Sequence, residues 1–184
     1  MSTREAFVVV SFVIVFGGCA GPATREALNL GRPATPAEVA GWDISIPPDG
    51  RGLPQGAGTP AEGAFVYAQK CQACHGDKGG GGPNERLVGG QGTLAGKTPV
   101  RTVGSYWPYA TTVFDYVRRS MPFFQPHSLT DSEVYAVTAY LLSLNGIIGE
   151  QDVMNAETLP RVKMPNRDNF IPRFPDKMPP RPEM

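Results

Sequence analysis

The chain has 184 residues, with 17 basic and 17 acidic side chains and therefore no net charge at pH 7. A neutral chain has no global field that would steer it to nucleic acid or another highly charged partner, so partner binding depends on local patches. The three cysteines are too few for a fold built on several disulfides.

The first 19 residues are typical of a bacterial export signal. Residues 6–18 form an apolar run broken only by Ser11, shorter than the roughly 20 residues that span a bilayer. Cys19 follows Phe-Gly-Gly, which is similar to a lipobox with Phe in place of Leu; cleavage after Ala20 is the alternative. We expect a protein in the periplasm or on the outer face of a bacterial membrane, attached there only through a possible lipid on Cys19.

Residues 20–58 predict an extended arm or linker. They are rich in Pro, Gly and Ala and have little periodicity, and the Pro-Pro-Asp-Gly stretch at 47–50 favours a turn. Trp42 and Ile44 are candidates to anchor this arm in a surface groove, and a solvated linker is the alternative.

A first helix is predicted over residues 60–72. Thr59 is a suitable N-cap, Pro60 suits the first helical position, and Glu62 favours the positive end of the helix dipole. Gly63 costs roughly 0.5–1 kcal/mol against Ala inside a helix. We therefore expect another helix to approach closely at Gly63, with a tolerated glycine as the alternative.

The helix leads into Cys71-Gln72-Ala73-Cys74-His75. The C-x-x-C-H spacing is the attachment signature of a c-type haem, in which Cys71 and Cys74 bind the porphyrin and His75 ligates the iron. The family that this motif indicates is cytochrome c.

Two other uses of a C-x-x-C pair are disfavoured. A closed zinc site needs four ligands, and outside the export segment the chain has two cysteines and two histidines. Adjacent Cys74 and His75 would therefore have to bind one ion together with distant His127. A thioredoxin-type pair follows a β-strand, whereas this one follows a helical pattern.

A loop over residues 76–111 carries eight glycines between 76 and 92. No phosphate-loop pattern is present, so the glycines are predicted to let the backbone run close to the haem. The carbonyl of Pro83 is a candidate to accept from the His75 ring. Three side chains are candidates to bind the haem propionates: Trp107, Tyr109 and Arg101.

A middle helix over residues 112–119 should end before Met121, because Pro122 disfavours helix there. Met121 follows this helix at the place where a cytochrome c pattern has its second axial ligand, and it is predicted to have that role. A methionine ligand together with a histidine raises the reduction potential of the haem iron. His127 is the alternative ligand. Weaker candidates lie further on, at Met154, Met164 and Met178.

The last helix is predicted over residues 131–145. Thr130 and Glu133 form a capping-box pattern, and Asn145 with the glycine after it provides a stop. Ala136 and Tyr140 lie on a stripe suited to crossing over Gly63.

Residues 149–184 predict a proline-rich basic arm. Seven prolines between residues 160 and 184 exclude a long helix or a central strand. A disordered tail and an arm that packs on a partner are both open. The apolar anchors of such an arm are Met164, Phe170, Ile171 and Phe174.

These features resemble class I cytochrome c. The resemblance implies an all-α fold over residues 59–148, with short helices around one covalently bound haem and extended arms at both ends.

Several segments further resemble the cytochrome subunit of sulfite and sulfur dehydrogenases. They include VGSYWPYATT at 103–112, together with residues 42–44, 118–123, 128–131, 135–140 and 163–166. The resemblance implies an electron-transfer subunit, not itself catalytic, reduced by a molybdenum-cofactor dehydrogenase and oxidised by a downstream cytochrome or oxidase. The cytochrome subunit of sulfur dehydrogenase carries two haems, and this chain departs from that pattern because it has a single C-x-x-C-H. A haem-based gas-binding module and a free electron carrier are the alternatives.

Overall fold

The computed structural model describes residues 30–171, and its regular structure is almost entirely helical, which confirms the predicted all-α fold. The predicted export signal with Cys19, and Phe174 and Met178 in the C-terminal arm, lie outside the described residues. Within 30–171 no helix is long and apolar enough to cross a membrane. The elements are α1 (Pro36–Trp42), β1 (Ala57–Gly58), α2 (Pro60–Lys70), α3 (Gln72–His75), α4 (Ala110–Ser120), α5 (Asp131–Leu144) and β2 (Met154–Asn155), with 3₁₀ turns at Asp77–Gly79, Leu159–Arg161 and Arg167–Asn169.

Capping boxes begin α2 and α5 at the predicted positions. The Thr59 hydroxyl accepts a hydrogen bond from the Glu62 N–H, and the Glu62 carboxylate accepts one from the Thr59 N–H. Thr130 and Glu133 make the same pair of bonds at the start of α5. Each box satisfies backbone N–H groups that a helix end leaves without partners.

The observed helix boundaries differ from the predicted ones by one or two residues, and the differences at α2 and α4 bear on the site. The chain bends at Cys71, which has non-helical backbone angles, so the predicted helix over 60–72 divides into α2 and the short α3. The middle helix starts two residues earlier than predicted, at Ala110, and ends at Ser120. Met121 is extended, as expected of a residue before proline.

The crossing of α2 over α5 organises the domain and confirms the predicted role of Gly63. A Cβ atom at Gly63 would lie 1.9 Å from the Ala136 carbonyl oxygen and 2.8 Å from the Tyr140 Cβ. One at Gly58, in β1, would lie 2.3 Å from the Ala136 nitrogen. The two glycines therefore allow the backbone of α5 to reach contact distance from both β1 and α2.

The apolar core lies between α4, α5 and the segments that cover them. Phe114 of α4 and Tyr135 of α5 are fully buried, with ring centroids 4.4 Å apart. Val134 and Leu142 are also fully buried on α5. Since such side chains contribute about 1.5–3 kcal/mol each on burial, this pair of helices forms the rigid base on which the loops rest.

The N-terminal arm is attached to this base, but not through Trp42. Trp42 is 89% exposed at the end of the short helix α1, so its predicted anchoring role is wrong. Ile46 is the buried residue of the arm, and its N–H donates to Asp115 Oδ1 of α4 at 2.9 Å. The Arg118 guanidinium donates to the carbonyl of Ile44, which is half-buried. The arm is therefore held by backbone hydrogen bonds to polar side chains of α4.

We expect Asp115→Ala to loosen this arm. The buried carboxylate accepts bonds from the Ile46 N–H and from Arg119, and its loss would leave the Ile46 N–H without a partner, at a cost of about 1–3 kcal/mol. Urea unfolding measures the cost, and limited proteolysis should show faster cleavage between residues 43 and 54. Glu150→Ala, at an exposed position, is the control, and equal cleavage of the two variants would contradict the prediction.

The C-terminal segment belongs to the domain beyond the predicted boundary at 148. β2 pairs antiparallel with β1, and Met154, Leu159 and Met164 are buried in the core. Met164, predicted as an anchor of an arm that packs on a partner, is instead buried in the core of this domain, whereas Phe170 and Ile171 are 45% and 92% exposed. The arm closes the core at least as far as residue 164.

Candidate functional site

The motif occupies one turn of backbone that starts at the bend after α2. The N–H groups of Cys74 and His75 both donate to the Cys71 carbonyl, at 3.1 and 3.0 Å. Residues three and four apart lie on the same face of a helical turn. The turn therefore presents two sulfur atoms and one imidazole to the same side.

The His75 ring is oriented by a backbone carbonyl. Nδ1 lies 2.8 Å from the carbonyl oxygen of Glu85, which can only accept, so in the neutral ring Nδ1 carries the proton and Nε2 has the lone pair. The predicted partner, the carbonyl of Pro83, is wrong: the Asn84 N–H is bound to the Cys74 carbonyl, and the carbonyl that meets the ring is that of the next residue, Glu85. A neutral imidazole with a free Nε2 is the form that binds a metal.

The glycine-rich loop folds back on the backbone of the motif. The Gly81 N–H donates to the His75 carbonyl at 2.8 Å, and the Asn84 N–H donates to the Cys74 carbonyl at 2.9 Å. A Cβ at Gly76 would lie 2.1 Å from the Gly81 oxygen. Close approach is thus observed between loop and motif, and the approach of the loop to the haem stays a prediction.

Tyr67 connects α2 to this loop. Its hydroxyl donates to the Gly76 carbonyl at 3.0 Å, and its ring packs against Tyr140 with centroids 5.4 Å apart. Burial, and secondarily the charge of a Cys71 thiolate, raise the pKa of the Tyr67 hydroxyl to about 12. The hydroxyl therefore remains a hydrogen-bond donor throughout the physiological pH range.

The thiols do not have the character of a redox pair. Within residues 30–171 both cysteines are free and half-buried. Burial, followed by the charge of Cys74, raises the pKa of the Cys71 thiol to about 11. Reactive C-x-x-C pairs have lowered thiol pKa values, so the raised pKa of Cys71 disfavours a thioredoxin-type disulfide exchange.

Met121 and its alternatives lie in different surroundings. Met121 is half-buried at the end of α4 and borders the same apolar core as Cys71. His127 is exposed, on a backbone with φ of 61°. Met154 and Met164 fill the core at 4% and 1% exposure. Met121 therefore remains the predicted second ligand.

The three candidates for propionate binding all have protein partners. The Trp107 indole N–H donates to the Thr112 hydroxyl at 2.8 Å. Arg101 stacks over Tyr106 at 5.5 Å, and Arg167 stacks over Tyr109 at 5.3 Å. A propionate would have to compete with these contacts, so the three assignments stay predictions.

Asn145 is a structural residue of the site whose side-chain role the sequence did not indicate. Its Oδ1 accepts from the Gly89 N–H at 3.0 Å, and its Nδ2 donates to the carbonyls of Leu141 and Leu87 at 2.8 and 3.3 Å. It was predicted only as a helix stop. Its side chain fixes the loop after Glu85 to the end of α5, and a cap residue followed by glycine was the only available signal.

The residues of the turn fit a c-type haem. Cys71 and Cys74 are unpaired and three residues apart, and the His75 Nδ1 lies against the Glu85 carbonyl, which leaves Nε2 to bind a metal. Several half-buried apolar side chains pack against the same core as Cys71, among them Val66, Leu87, Trp107 and Met121. This donor set is suited to two thioether bonds and one axial ligand.

Comparisons with known proteins agree with this fit. A family model described as cytochrome c oxidase, cbb3-type, subunit III matches residues 58–141. A chain in the crystal structure of the sulfane dehydrogenase SoxCD from Paracoccus pantotrophus is 44% identical, with a TM-score of 0.75, over 79% of this chain and 72% of that chain.

The thiosulfate dehydrogenase of Stutzerimonas stutzeri (strain A1501) is 34% identical over 92 residues, which are 49% of this chain and 29% of that protein. The chain thus matches less than a third of that relative's length. The fold, the C-x-x-C-H turn and these matches show that the chain belongs to the cytochrome c family, with a class I fold that resembles the cytochrome subunit of sulfur dehydrogenases.

Proposed function

We propose that this protein is an exported monohaem c-type cytochrome that accepts electrons from a molybdenum sulfite or sulfur dehydrogenase and passes them to a downstream cytochrome or oxidase. The observation that carries the proposal is the turn at Cys71–His75, in which two unpaired cysteines lie one backbone turn apart and the Glu85 carbonyl orients the His75 ring through Nδ1. The single motif in the chain corresponds to one haem.

The residues have distinct roles in this function. A bound haem supplies one-electron redox chemistry at its iron. Cys71 and Cys74 would hold the group by thioether bonds, His75 and Met121 would ligate its iron, and the Glu85 carbonyl fixes the orientation of His75. With both ligands in place no position would be left for substrate, so the protein would transfer electrons and perform no bond chemistry.

The partner is inferred from the relatives. A sulfane dehydrogenase and a thiosulfate dehydrogenase both contain a stretch similar to this chain, which supports a donor that oxidises a sulfur compound. The neutral charge of the chain gives no long-range steering. A stable subunit contact with the donor is therefore favoured over rapid diffusional encounter.

Reconstitution with the candidate dehydrogenase tests this function. The purified cytochrome, its haem content measured by intact mass, is mixed with a molybdenum dehydrogenase from the same source, and haem absorbance is followed after addition of sulfite or thiosulfate. We expect reduction that requires the dehydrogenase, the sulfur compound and the cytochrome together, and co-purification of the two proteins. Absence of any sulfur-dependent reduction would contradict the proposed donor, and a mass without haem would contradict the cytochrome itself.

Export and lipid attachment are part of the same proposal. The apolar run before Cys19 and the Phe-Gly-Gly that precedes it support processing at this cysteine. Mass spectrometry of the mature N-terminus should find an acylated Cys19. An unmodified N-terminus at Ala20 or Gly21 would contradict lipidation while leaving export intact.

A further inference from the structure

The turn that follows His75 is held from α2 by one buried side chain. Tyr67 is 1% exposed, and its hydroxyl donates to the Gly76 carbonyl at 3.0 Å. The Gly79 N–H, which lies within the turn, donates to the same carbonyl oxygen over a longer distance of 3.4 Å. Tyr67 therefore provides the shorter bond, and the one that comes from a different element.

The Gly76 peptide lies between the ligand and the loop that orients it. Gly76 has a φ of 77°, in the left-handed region, and the chain then returns so that the Gly81 N–H donates to the His75 carbonyl at 2.8 Å. The same loop continues to Glu85, whose carbonyl lies 2.8 Å from His75 Nδ1. A change in the direction of the Gly76 peptide would alter the position of the ring's only carbonyl partner among the described residues.

Packing alone does not require the Tyr67 hydroxyl. The ring of Tyr67 stacks on Tyr140 with centroids 5.4 Å apart, and a phenylalanine would retain that contact. Burial of a hydroxyl costs free energy unless the hydroxyl makes a hydrogen bond. The bond to the Gly76 carbonyl is therefore what the Tyr67 hydroxyl adds to the packing of the ring.

We propose that Tyr67 is a positioning residue for His75: its hydroxyl fixes the Gly76 peptide and thereby holds the Glu85 carbonyl against His75 Nδ1. The inference rests on the proposed role of His75 as an iron ligand. Through that bond the carbonyl makes the imidazole a stronger electron donor, which stabilises the oxidised iron. Weakening the bond should therefore raise the reduction potential and expose the ring proton to solvent.

Tyr67→Phe in the haem-loaded protein tests this inference. We expect the His75 Nδ1 proton to exchange with solvent about tenfold faster by NMR, which corresponds to about 1.4 kcal/mol, within the range of one hydrogen bond. We also expect the equilibrium constant for reduction to rise about threefold, which corresponds to about 30 mV for one electron. Unchanged exchange and an unchanged potential would overturn the proposal.

Tyr140→Phe is the matched control, because it removes a hydroxyl from the stacked ring and Tyr140 makes no side-chain hydrogen bond within residues 30–171. It should leave both quantities unchanged, and equal shifts in the two variants would indicate a general loss of polarity and overturn the positioning role.

Should Tyr67→Phe fail to accumulate with haem, NMR of the unaltered protein tests the same proposal. The Tyr67 hydroxyl proton should then exchange slowly with solvent and lie close to Gly76, and a rapidly exchanging proton would overturn the proposal. Failure of the proposed function is distinct: the unaltered protein would then carry no haem or show no His75 ligation.

Discussion

We expect Met121→Ala to lower the reduction potential by on the order of 0.1–0.2 V and to abolish the weak long-wavelength band of methionine-ligated ferric haem. A thioether stabilises ferrous iron, and axial ligands tune haem potentials over about 0.8 V. Met121 is half-buried at the end of α4 and borders the same core as Cys71, so the variant loses the ligand while the helices stay in place. The measurements are a redox titration and the ferric absorption spectrum.

Two controls separate ligation from packing in this experiment. His127→Ala removes the alternative ligand from an exposed position, and Met164→Leu changes a buried methionine of the core; both should leave the band and the potential unchanged. The reduced Met121→Ala protein should also bind carbon monoxide, which the unaltered protein should not. Carbon monoxide binding by the unaltered protein, with no band to lose, would instead support a five-coordinate gas-binding module.

The features that the sequence predicted correctly are carried by short patterns. Thr59 with Glu62 and Thr130 with Glu133 satisfy the first N–H groups of their own helices, so their effect does not depend on the rest of the fold. Gly63 is informative for a related reason. Its cost inside a helix requires compensation, and the close approach of Ala136 supplies it.

The features that the sequence missed depend on the path of the chain through space. Every residue has a carbonyl, so the choice of Glu85 over Pro83 as partner of His75 is set by where the loop bends. Trp42 and Ile44 are the anchors predicted from sequence, yet Ile46 is the buried residue of the arm, and its N–H donates to Asp115. Neither preference is visible in local sequence, since both require the position of a second element.

The domain boundary shows the same dependence. Proline-rich sequence excludes long helices, and the C-terminal segment indeed contains only a two-residue strand and short turns. Exclusion of helix does not exclude burial, however, because Leu159 and Met164 are both buried in the hydrophobic core. Composition predicts the backbone type of such a segment more reliably than its contribution to the core.

The crossing of α2 over α5 leads to the largest expected effect on stability. Gly63→Ala should improve intrinsic helix propensity by about 1 kcal/mol. The new Cβ would nevertheless lie 1.9 Å from the Ala136 carbonyl oxygen, so the two helices must separate. Overpacking of this kind costs about 3 kcal/mol or more when backbone has to move, and we expect the net effect to lower the melting temperature of the haem-loaded protein by roughly 10 °C.

The surroundings of Gly63 also specify the controls for this variant. Gly41→Ala, in the exposed helix α1 with nothing within 4 Å of the new Cβ, should be neutral or slightly stabilising. Ala136→Gly should not rescue Gly63→Ala, because the blocking atom is the backbone oxygen of Ala136 and the substitution leaves it in place. A Gly63→Ala protein as stable as the original, or one rescued by Ala136→Gly, would show that α2 and α5 do not cross at this contact. Since α2 leads directly into Cys71, displacement of the crossing should also lower the yield of haem-loaded protein.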